Sequence, residues 1–211
     1  MRVVRFYIVV VFFAKIKNKI NSQKHSPVSV CFFSLDFMSE PLANKVLVLG
    51  SRWSGKSLLI KRLHELCTSS KPVQDDFLAT TSTLGKTLTV MKYKRNQGLE
   101  MHELGATLGC LWKSFHTSTH FGKIVYVIDA TQPWSIALTL EQLKEICEQT
   151  TIKPKNILLV LNKANEVNAT NRMAVRELLD LDALWHGEVE LMETNARNGT
   201  NLSALLDWLI R

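Results

Sequence analysis

Short apolar runs alternate with longer segments of helical periodicity from residue 45 to the end of the chain. The runs KVLVL, KIVYVID and NILLVL are almost free of polar residues, which is typical of strands buried on both faces of a parallel sheet. In the longer segments the apolar residues recur every three or four positions, as they do on one face of a helix. We expect strands at 45–49, 123–129, 156–161 and 189–193, and helices at 55–67, 135–149, 171–181 and 202–210.

Two further strands are predicted around the turn sequence KRNQG. The segments 87–93 and 99–101 flank this glycine-containing link, a pattern that indicates a hairpin. Strands that alternate with helices favour a mostly parallel sheet with helices on both faces. The chain is therefore predicted to be an α/β protein in which one hairpin strand forms an antiparallel edge. We expect the helix at 171–181 to turn Met173, Val175 and Leu178 toward the core.

The first 44 residues differ from the rest and are predicted to be an N-terminal extension to a domain at 45–211. Residues 6–14 form an unbroken apolar run, which is too short for a membrane-spanning helix of about 20 residues. Lysines follow this run, and it carries no small-residue cleavage pattern. Three interpretations of 1–37 remain: a disordered or non-native upstream segment, which the second methionine at Met38 favours, a membrane-contacting tail, or a secretory signal.

The net charge of +7 is concentrated near the N-terminus. Residues 1–37 carry six basic and one acidic side chain, whereas the rest of the chain has 20 basic and 18 acidic side chains. This balance argues against a nucleic-acid partner. The four cysteines lie far apart and lack zinc-ligand spacing, which is typical of reduced thiols. We expect a cytoplasmic protein whose contact with a membrane, if any, is peripheral and made through 1–37.

One octapeptide between the first strand and the first helix has the full pattern of a phosphate-binding loop, G-x-x-x-x-G-K-[ST]. Its residues are Gly50-Ser51-Arg52-Trp53-Ser54-Gly55-Lys56-Ser57. Gly50 permits the sharp turn out of the strand, and Gly55 lets the backbone approach a phosphate closely. Lys56 is a point charge for the β and γ phosphates, and Ser57 offers its hydroxyl to Mg²⁺.

The segment NKAN, residues 162–165, follows the NILLVL strand, and ligands of open α/β sheets bind at the carboxyl ends of strands. Together with the phosphate loop, it resembles the Arf-like branch of the small GTPases, as do ETNARNGTNLSALLDWL, NATNRMAVRELLDLDAL and LWKSF. The resemblance covers about residues 45–211 and implies a three-layer Ras-like domain with a six-stranded sheet. It also implies a monomer that binds GTP or GDP with Mg²⁺. A nucleoside kinase is disfavoured, because such enzymes have an arginine-rich lid and lack NKAN.

The resemblance assigns the guanine base to two loops. Asn162 would bind the edge of the base and hold the phosphate loop, while the stem of Lys163 would cover the ring. The backbone N–H of Ala196, between Asn195 and Arg197, would meet the guanine carbonyl.

Asn165 stands where the family has aspartate. An aspartate accepts two hydrogen bonds from guanine, whereas an asparagine offers one acceptor and one donor. Loss of such a charge-assisted pair costs about 1.5–3 kcal/mol. We therefore expect weaker GTP binding and poorer discrimination against xanthosine triphosphate (XTP), unless Glu166 or a water molecule compensates.

The family's first switch carries a threonine that joins Mg²⁺ to the γ-phosphate. Thr83, in the sequence TLG, resembles this threonine, although Thr80 and Thr81 leave the register open by a few residues. In the second switch, Glu103 would hold Mg²⁺ through a water molecule, and Gly105 would lie beside the phosphate.

The rest of the second switch departs from the family's D-x-G-G-Q pattern. Ala106 replaces a glycine whose N–H meets the γ-phosphate, and Thr107 replaces the glutamine that orients the attacking water. Slow or absent hydrolysis is therefore expected. Arg52 and Trp53 are bulky and are expected to point outward over the γ-phosphate region. Arg52 could act in cis as an arginine finger, or it could obstruct the water.

Residues 83–115 are predicted to meet protein effectors, as the corresponding hairpin does in the family. The family's aromatic positions there correspond to Lys86, His102 and Phe115, of which only Phe115 is apolar. We therefore expect no effectors shared with classical Arf proteins. His102 is expected to be a solvated surface residue.

Two functions remain open. One is a nucleotide-driven molecular switch, which the intact octapeptide favours. The other is a pseudo-GTPase scaffold whose nucleotide is weakly bound, not hydrolysed or absent, which the changes at Glu103, Ala106, Thr107 and Asn165 favour.

Overall fold

The structure is a computed structural model that describes residues 44–68, 80, 83–93, 97–108, 112, 121–149, 152–186 and 188–211. The expectations for residues 1–37, for Thr81 and for Phe115 lie outside this part of the chain. The strands are β1 (Lys45–Gly50), β2 (Lys86–Tyr93), β3 (Gln97–Leu104), β4 (Lys123–Asp129), β5 (Ile157–Asn162) and β6 (Glu190–Glu193). The helices are α1 (Lys56–Thr68), α2 (Pro133–Gln149), α3 (Arg172–Leu178), α4 (Leu181–Trp185) and α5 (Leu202–Ile210).

The strands form one sheet in the order β2-β3-β1-β4-β5-β6. Only β2 and β3 pair antiparallel; the other neighbours are parallel. The predicted α/β fold with an antiparallel edge is thus confirmed. Because the parallel strands all point the same way, the loops after β1, β4, β5 and β6 gather at one edge of the sheet.

The side chains of the central strands alternate between two hydrophobic cores. Along β4, Tyr126 and Ile128 join one core, and Val125 and Val127 join the other. Helices α2, α3 and α4 cover the first core, and α1 and α5 cover the second. Both faces of β4 are therefore buried, which is why its sequence is apolar throughout.

Helix α5 is held by a lysine from the start of β4. The Nζ of Lys123 donates to the carbonyls of Trp208 and Leu209 at 3.0 and 2.7 Å. These carbonyls lie in the last turn of the helix, where no intrahelical donor is available. Trp208 and Leu209 themselves are buried.

The predicted helix at 171–181 is wrong at its end, where the structure has a break after Leu178. The chain leaves α3 after Leu178, and Asp180 adopts a left-handed conformation with φ of 48° before α4 begins. Val175 is fully buried, but Met173 and Leu178 are 66% and 61% exposed. A helix this short presents a narrow face to the sheet, so the two flanking apolar residues remain in solvent. Within the described ranges, no helix combines the length and apolar character needed to cross a membrane.

Candidate functional site

The octapeptide loop joins β1 to α1 and depends on two glycines. Gly50 has φ of 140°, and a Cβ there would lie 2.2 Å from the carbonyl oxygen of Val127. Gly55 has φ of 88°, and a Cβ there would lie 2.4 Å from the side-chain nitrogen of Asn162. Any larger residue would be strained and would collide with its neighbour. The loop therefore packs directly against β4 and the end of β5.

Lys56 holds the loop in shape from inside. Its Nζ donates to the carbonyl oxygens of Gly50 at 2.8 Å and Ser51 at 2.7 Å. Burial lowers the pKa of Lys56 from its usual value of 10.5 to about 8, and the negative charge of Glu103 acts against this shift. A buried ammonium group with a lowered pKa gains stability from any anion that comes close to it.

Three oxygen-bearing side chains converge next to Lys56. Ser57 Oγ donates to Glu103 Oε1 at 2.6 Å, and Thr83 Oγ1 donates to the same oxygen at 3.1 Å. The two hydroxyl oxygens are 3.1 Å apart. These oxygens come from α1, from the segment before β2 and from β3. Two hydroxyls and one carboxylate are donors that suit Mg²⁺, which prefers oxygen ligands.

The two predicted switch segments meet at Gly105. Its N–H donates to the carbonyl of Gly85 at 2.8 Å, which continues the β2–β3 ladder. A Cβ at Gly105 would lie 2.2 Å from the carbonyl oxygen of Thr83. The absence of a side chain at Gly105 is thus what lets the Thr83 segment approach the end of β3.

A cavity of about 110 Å³ opens beside these residues. Among the described residues, its walls include the loop, the Thr83 segment and the end of β3. The lining residues are Arg52, Trp53, Gly55, Lys56, Ser57, Leu58, Thr80, Thr83, Glu103, Gly105 and Ala106. Thr107 is absent from this set; it is exposed in a turn after β3 and lines a second cavity.

Arg52 and Trp53 stand at the mouth of the first cavity. Trp53 has φ of 67° and is 70% exposed. The guanidinium carbon of Arg52 lies 5.0 Å from the centre of the Trp53 ring, a cation–π contact. Both side chains point outward, as the sequence predicts.

Asn162, the last residue of β5, joins the phosphate loop to the loop after β6. Its Nδ2 donates to the carbonyl of Ser54 at 2.8 Å. Its Oδ1 accepts from the backbone N–H of Ala196 at 3.0 Å and from the hydroxyl of Thr194 at 3.4 Å. The Ala196 N–H, which the resemblance assigns to the base, is thus directed at Asn162 in this structure. Nearby, Asn195 Oδ1 accepts from the N–H of Arg197 at 2.9 Å.

Lys163 is fixed by Asp129, a partner that the sequence reasoning missed. Lys163 Nζ lies 2.6 Å from Asp129 Oδ2, and Asp129 Oδ1 accepts from the N–H and hydroxyl of Thr131. Asp129 and Asn162 are opposite each other where β4 and β5 end. The sequence did contain a signal for this pair. Asp129 and Asn162 each follow an apolar run, and the ends of adjacent parallel strands lie close together.

Asn165 is exposed beside the loop after β6. Its Nδ2 donates to Thr200 Oγ1 at 3.1 Å. The hydrogen of that hydroxyl goes to Asn198 Oδ1 at 2.7 Å, so Thr200 acts as an acceptor toward Asn165. The neighbouring carboxylate of Glu166 accepts from Asn195 Nδ2 at 3.5 Å.

His102 is buried, contrary to the sequence expectation. Only 8% of the residue is exposed, and its ring packs edge-on against Phe121 at 5.0 Å between centroids. Its Nε2 lies 3.3 Å from Glu100 Oε2. Burial lowers the pKa of His102, although the hydrogen bond to Glu100 opposes the shift. The ring is enclosed because β3 pairs with both β1 and β2. The residue type alone does not predict this burial.

The exposed face of β2 has an apolar centre between Lys86 and Lys92. Leu88 and Val90 are 51% and 56% exposed and lie opposite His102 and Glu100 of β3. Leu84, just before β2, is 77% exposed. The sequence reasoning missed these three residues because β2 does not alternate strictly: Val90 and Met91 are both apolar but lie on opposite faces. Together they form an apolar edge between the two switch segments.

Comparisons with known proteins agree with this architecture. Residues 35–211 match the model of the ADP-ribosylation factor family. The chain is 28% identical over 169 residues to human ADP-ribosylation factor-like protein 16, covering 77% of this chain and 83% of that protein. It is 27% identical over 168 residues to ADP-ribosylation factor-like protein 5 of Dictyostelium discoideum, covering 79% and 85%.

A solved structure shares the fold. The Arl6 BBS3 small GTPase of Trypanosoma brucei, with the bound nucleotide analogue GppNp, superposes with a TM-score of 0.63 and 19% sequence identity. The match covers 78% of this chain and 94% of that one.

Proposed function

Because the chain belongs to the ADP-ribosylation factor family of small GTPases, we propose that it is a guanine-nucleotide-dependent molecular switch with an altered base site and slow intrinsic hydrolysis. Members of this family bind guanine nucleotides and effector proteins. The observation that carries the proposal is the convergence of Ser57, Thr83 and Glu103 oxygens beside the Nζ of Lys56. These groups come from three separate segments and supply the charges that a magnesium-bound phosphate chain requires.

In this proposal the octapeptide loop holds the phosphates. Backbone N–H groups and the N-terminus of α1 face the anion, and Lys56 balances its charge. Ser57 and Thr83 would be ligands of Mg²⁺, and Glu103 would act through a water molecule. The ion, when bound, would neutralise charge on the β and γ phosphates.

The base would lie beside residues 162–165 and 195–197. Asn162 keeps the phosphate loop and the base loops at a fixed separation through its bonds to Ser54 and Ala196. The ion pair with Asp129 holds Lys163 beside this site. Asn165 uses its amide nitrogen on Thr200, so its amide oxygen is available to one donor of guanine. GTP would thus lose one hydrogen bond and one charge relative to a site with aspartate.

Hydrolysis is proposed to be slow for two reasons. Ala106 adds a methyl group at the wall of the phosphate cavity, and Thr107 lines the neighbouring cavity instead. Thr107 is shorter than the glutamine that orients water in related enzymes. Its single hydroxyl also lacks the separate donor and acceptor atoms of an amide.

Single-turnover hydrolysis of GTP decides the role of Arg52. A slower rate in Arg52→Ala than in wild type supports an arginine finger, and a faster rate supports obstruction of the water. Lys144→Ala, which removes an exposed cation from α2, is the matched control and is expected to leave the rate unchanged.

The magnesium site gives a direct test of the proposal. Release of a fluorescent GDP analogue from wild type is expected to accelerate when Mg²⁺ is chelated, because the ion ties the phosphates to the switch segments. Ser57→Ala is expected to release the analogue rapidly with or without chelator. Ser203→Ala, an exposed serine on α5, is expected to behave as wild type. Equal behaviour of both variants would refute the assignment of Ser57.

A second candidate function is a pseudo-GTPase scaffold. The exposed apolar edge formed by Leu84, Leu88 and Val90 favours it, since such an edge can recruit a partner without any hydrolysis. Native mass spectrometry of the purified protein after addition of GTP, GDP, XTP or no nucleotide separates the two functions. Stoichiometric occupancy that exchanges between GDP and GTP supports the switch, and a folded protein whose nucleotide is weak, non-exchanging or absent supports the scaffold.

A further inference from the structure

A second cavity of about 250 Å³ lies next to the phosphate cavity, between the octapeptide loop, the turn after β3 and α2. Its apolar walls come from Trp112, Trp134, Leu138 and Ala106. A cavity of about 150 Å³ lined by apolar groups accepts benzene. The second cavity is therefore large enough for a planar molecule of two fused rings.

Trp112, which lines this cavity, carries a buried hydrogen-bond donor. The residue is only 5% exposed, and its Nε1 has no hydrogen-bond partner among the described residues. A buried indole N–H usually finds an acceptor. The ring is fixed in place by an edge-on contact with Tyr126, with centroids 6.2 Å apart.

Gln142 adds a second donor of the same kind. The hydroxyl of Tyr126 donates to Gln142 Oε1. This bond uses one lone pair of the amide oxygen, and the N–H₂ group makes no hydrogen bond among the described residues. Two side chains of the lining thus carry N–H groups that have no acceptor among the described residues.

The charge of the lining is positive. Arg52 lines the cavity, and no acidic side chain does so among the described residues. Among the described residues, the Arg52 guanidinium makes a cation–π contact with Trp53 and no hydrogen bond or ion pair. An anionic acceptor therefore suits this cavity better than a neutral one.

We propose that this cavity is a binding site for a small aromatic carboxylate. The rings would pack against Trp112, Trp134 and Leu138, and the carboxylate would accept from the N–H groups of Trp112 and Gln142. Arg52 would supply the opposite charge. The apolar walls give affinity, while the two donors and the cation select an acid over a neutral molecule of the same shape.

The site is coupled to the phosphate cavity through shared walls, an extension that rests on the proposed function. Arg52 and Ala106 line both cavities. A ligand that holds these two residues changes their freedom to adjust around a γ-phosphate. By reciprocity, the nucleotide then changes the affinity for the carboxylate by the same factor.

Titration of the full-length protein with 2-naphthoate, followed by calorimetry and by saturation-transfer NMR, tests the site. We expect saturable binding at one site, with 2-naphthalenemethanol at least about tenfold weaker because it lacks the charge. Trp112→Phe keeps the ring and removes the donor, and is expected to weaken 2-naphthoate at least about tenfold. Leu138→Trp fills the cavity from a half-buried position and is expected to abolish binding.

Met173→Ala, at an exposed position on α3, is the matched control and should bind as wild type does. Equal affinity for the acid and the alcohol would overturn the proposal, as would unchanged binding in both Trp112→Phe and Leu138→Trp. The titration is done with and without GDP. An identical 2-naphthoate affinity with and without GDP would overturn the coupling but not the site. If the protein binds no nucleotide, the titration without GDP still measures binding of 2-naphthoate to the cavity.

Discussion

The amide nitrogen of Asn165 donates to the hydroxyl oxygen of Thr200 across 35 residues of sequence, at 3.1 Å. This contact decides how the altered base motif presents itself. Because its nitrogen is engaged, Asn165 offers only its oxygen to the base. It can accept one of the two hydrogen bonds that an aspartate would accept. The cost of the substitution is then one lost charge-assisted bond rather than a clash between two donors.

Asn165→Asp is expected to tighten GTP binding about ten- to a hundredfold, because the carboxylate accepts from both guanine donors. XTP, which carries a carbonyl in place of the exocyclic amine, should bind the variant more weakly. Equilibrium titration with both nucleotides measures the change. Asn168→Asp adds the same charge three residues away at an exposed position and controls for general electrostatics. An unaltered GTP affinity in Asn165→Asp would refute this account of the base site.

Thr200→Val is expected to release the amide of Asn165 and to reduce discrimination between the two nucleotides. The free amide can rotate and donate to the xanthine carbonyl, so the ratio of XTP to GTP affinity should rise about three- to tenfold. Thr200→Ser keeps the hydroxyl and should retain the wild-type ratio. If Thr200→Val and Thr200→Ser give the same ratio, the hydroxyl does not orient Asn165.

Gly105→Ala is expected to disturb the approach of the two switch segments. Its Cβ would lie 2.2 Å from the carbonyl of Thr83, and relief of such overpacking costs about 1–3 kcal/mol. We expect faster, less magnesium-sensitive release of GDP, since Thr83 would move away from Ser57 and Glu103. Gly85→Ala is a close control, because a Cβ there meets nothing within 4 Å. Comparable release rates in the two variants would contradict the packing argument.

Nucleotide affinity is expected to fall as the pH rises through about 8. Burial lowers the pKa of Lys56 to about 8 in the free protein, whereas bound phosphates favour the charged form and raise it again. Above that pH binding must take up a proton, so affinity should drop about tenfold between pH 7 and 9. The comparison with Lys56→Met isolates this effect, since the variant should bind weakly with no such dependence. Parallel pH profiles in the two proteins would count against Lys56 as the titrating group.

The same pKa shift makes the free energy of unfolding of the nucleotide-free protein rise with pH, whereas it makes nucleotide affinity fall. Between pH 8 and 10.5 the unfolded chain binds more protons at Lys56 than the folded chain does. The contribution of Lys56 to the free energy of unfolding therefore increases across that window. Denaturant titrations of wild type and Lys56→Met at pH 7.5 and 9.5 measure it; a difference between the two proteins that does not change with pH would contradict it.

The central strands and the phosphate loop were predictable from sequence because their information is local. The run KIVYVID matches β4 residue for residue, since a strand buried on both faces must be apolar throughout. The octapeptide itself contains the two glycines that its turn requires and the lysine that supplies its positive charge. Periodicity alone placed α5, whose apolar face is wide.

What the sequence could not reveal depends on contacts between distant segments. The break at Asp180 depends on a left-handed conformation at a residue that is not glycine, which the sequence does not signal. The burial of His102 depends on Phe121 and on the two strands beside β3. The pairs Asp129–Lys163 and Asn165–Thr200 join loops that come together only when parallel strands align their ends.

The most direct test of the central claim is calorimetric titration of the folded protein with GDP, GTP, XTP and ATP in the presence of Mg²⁺. We predict one site per chain that binds GDP, GTP and XTP, with a small preference between guanine and xanthine, and that does not bind ATP. Absence of heat with every one of these nucleotides, on protein shown to be folded by circular dichroism, would contradict the claim that the Gly50–Ser57 loop and the loop at 162–165 form a nucleotide site.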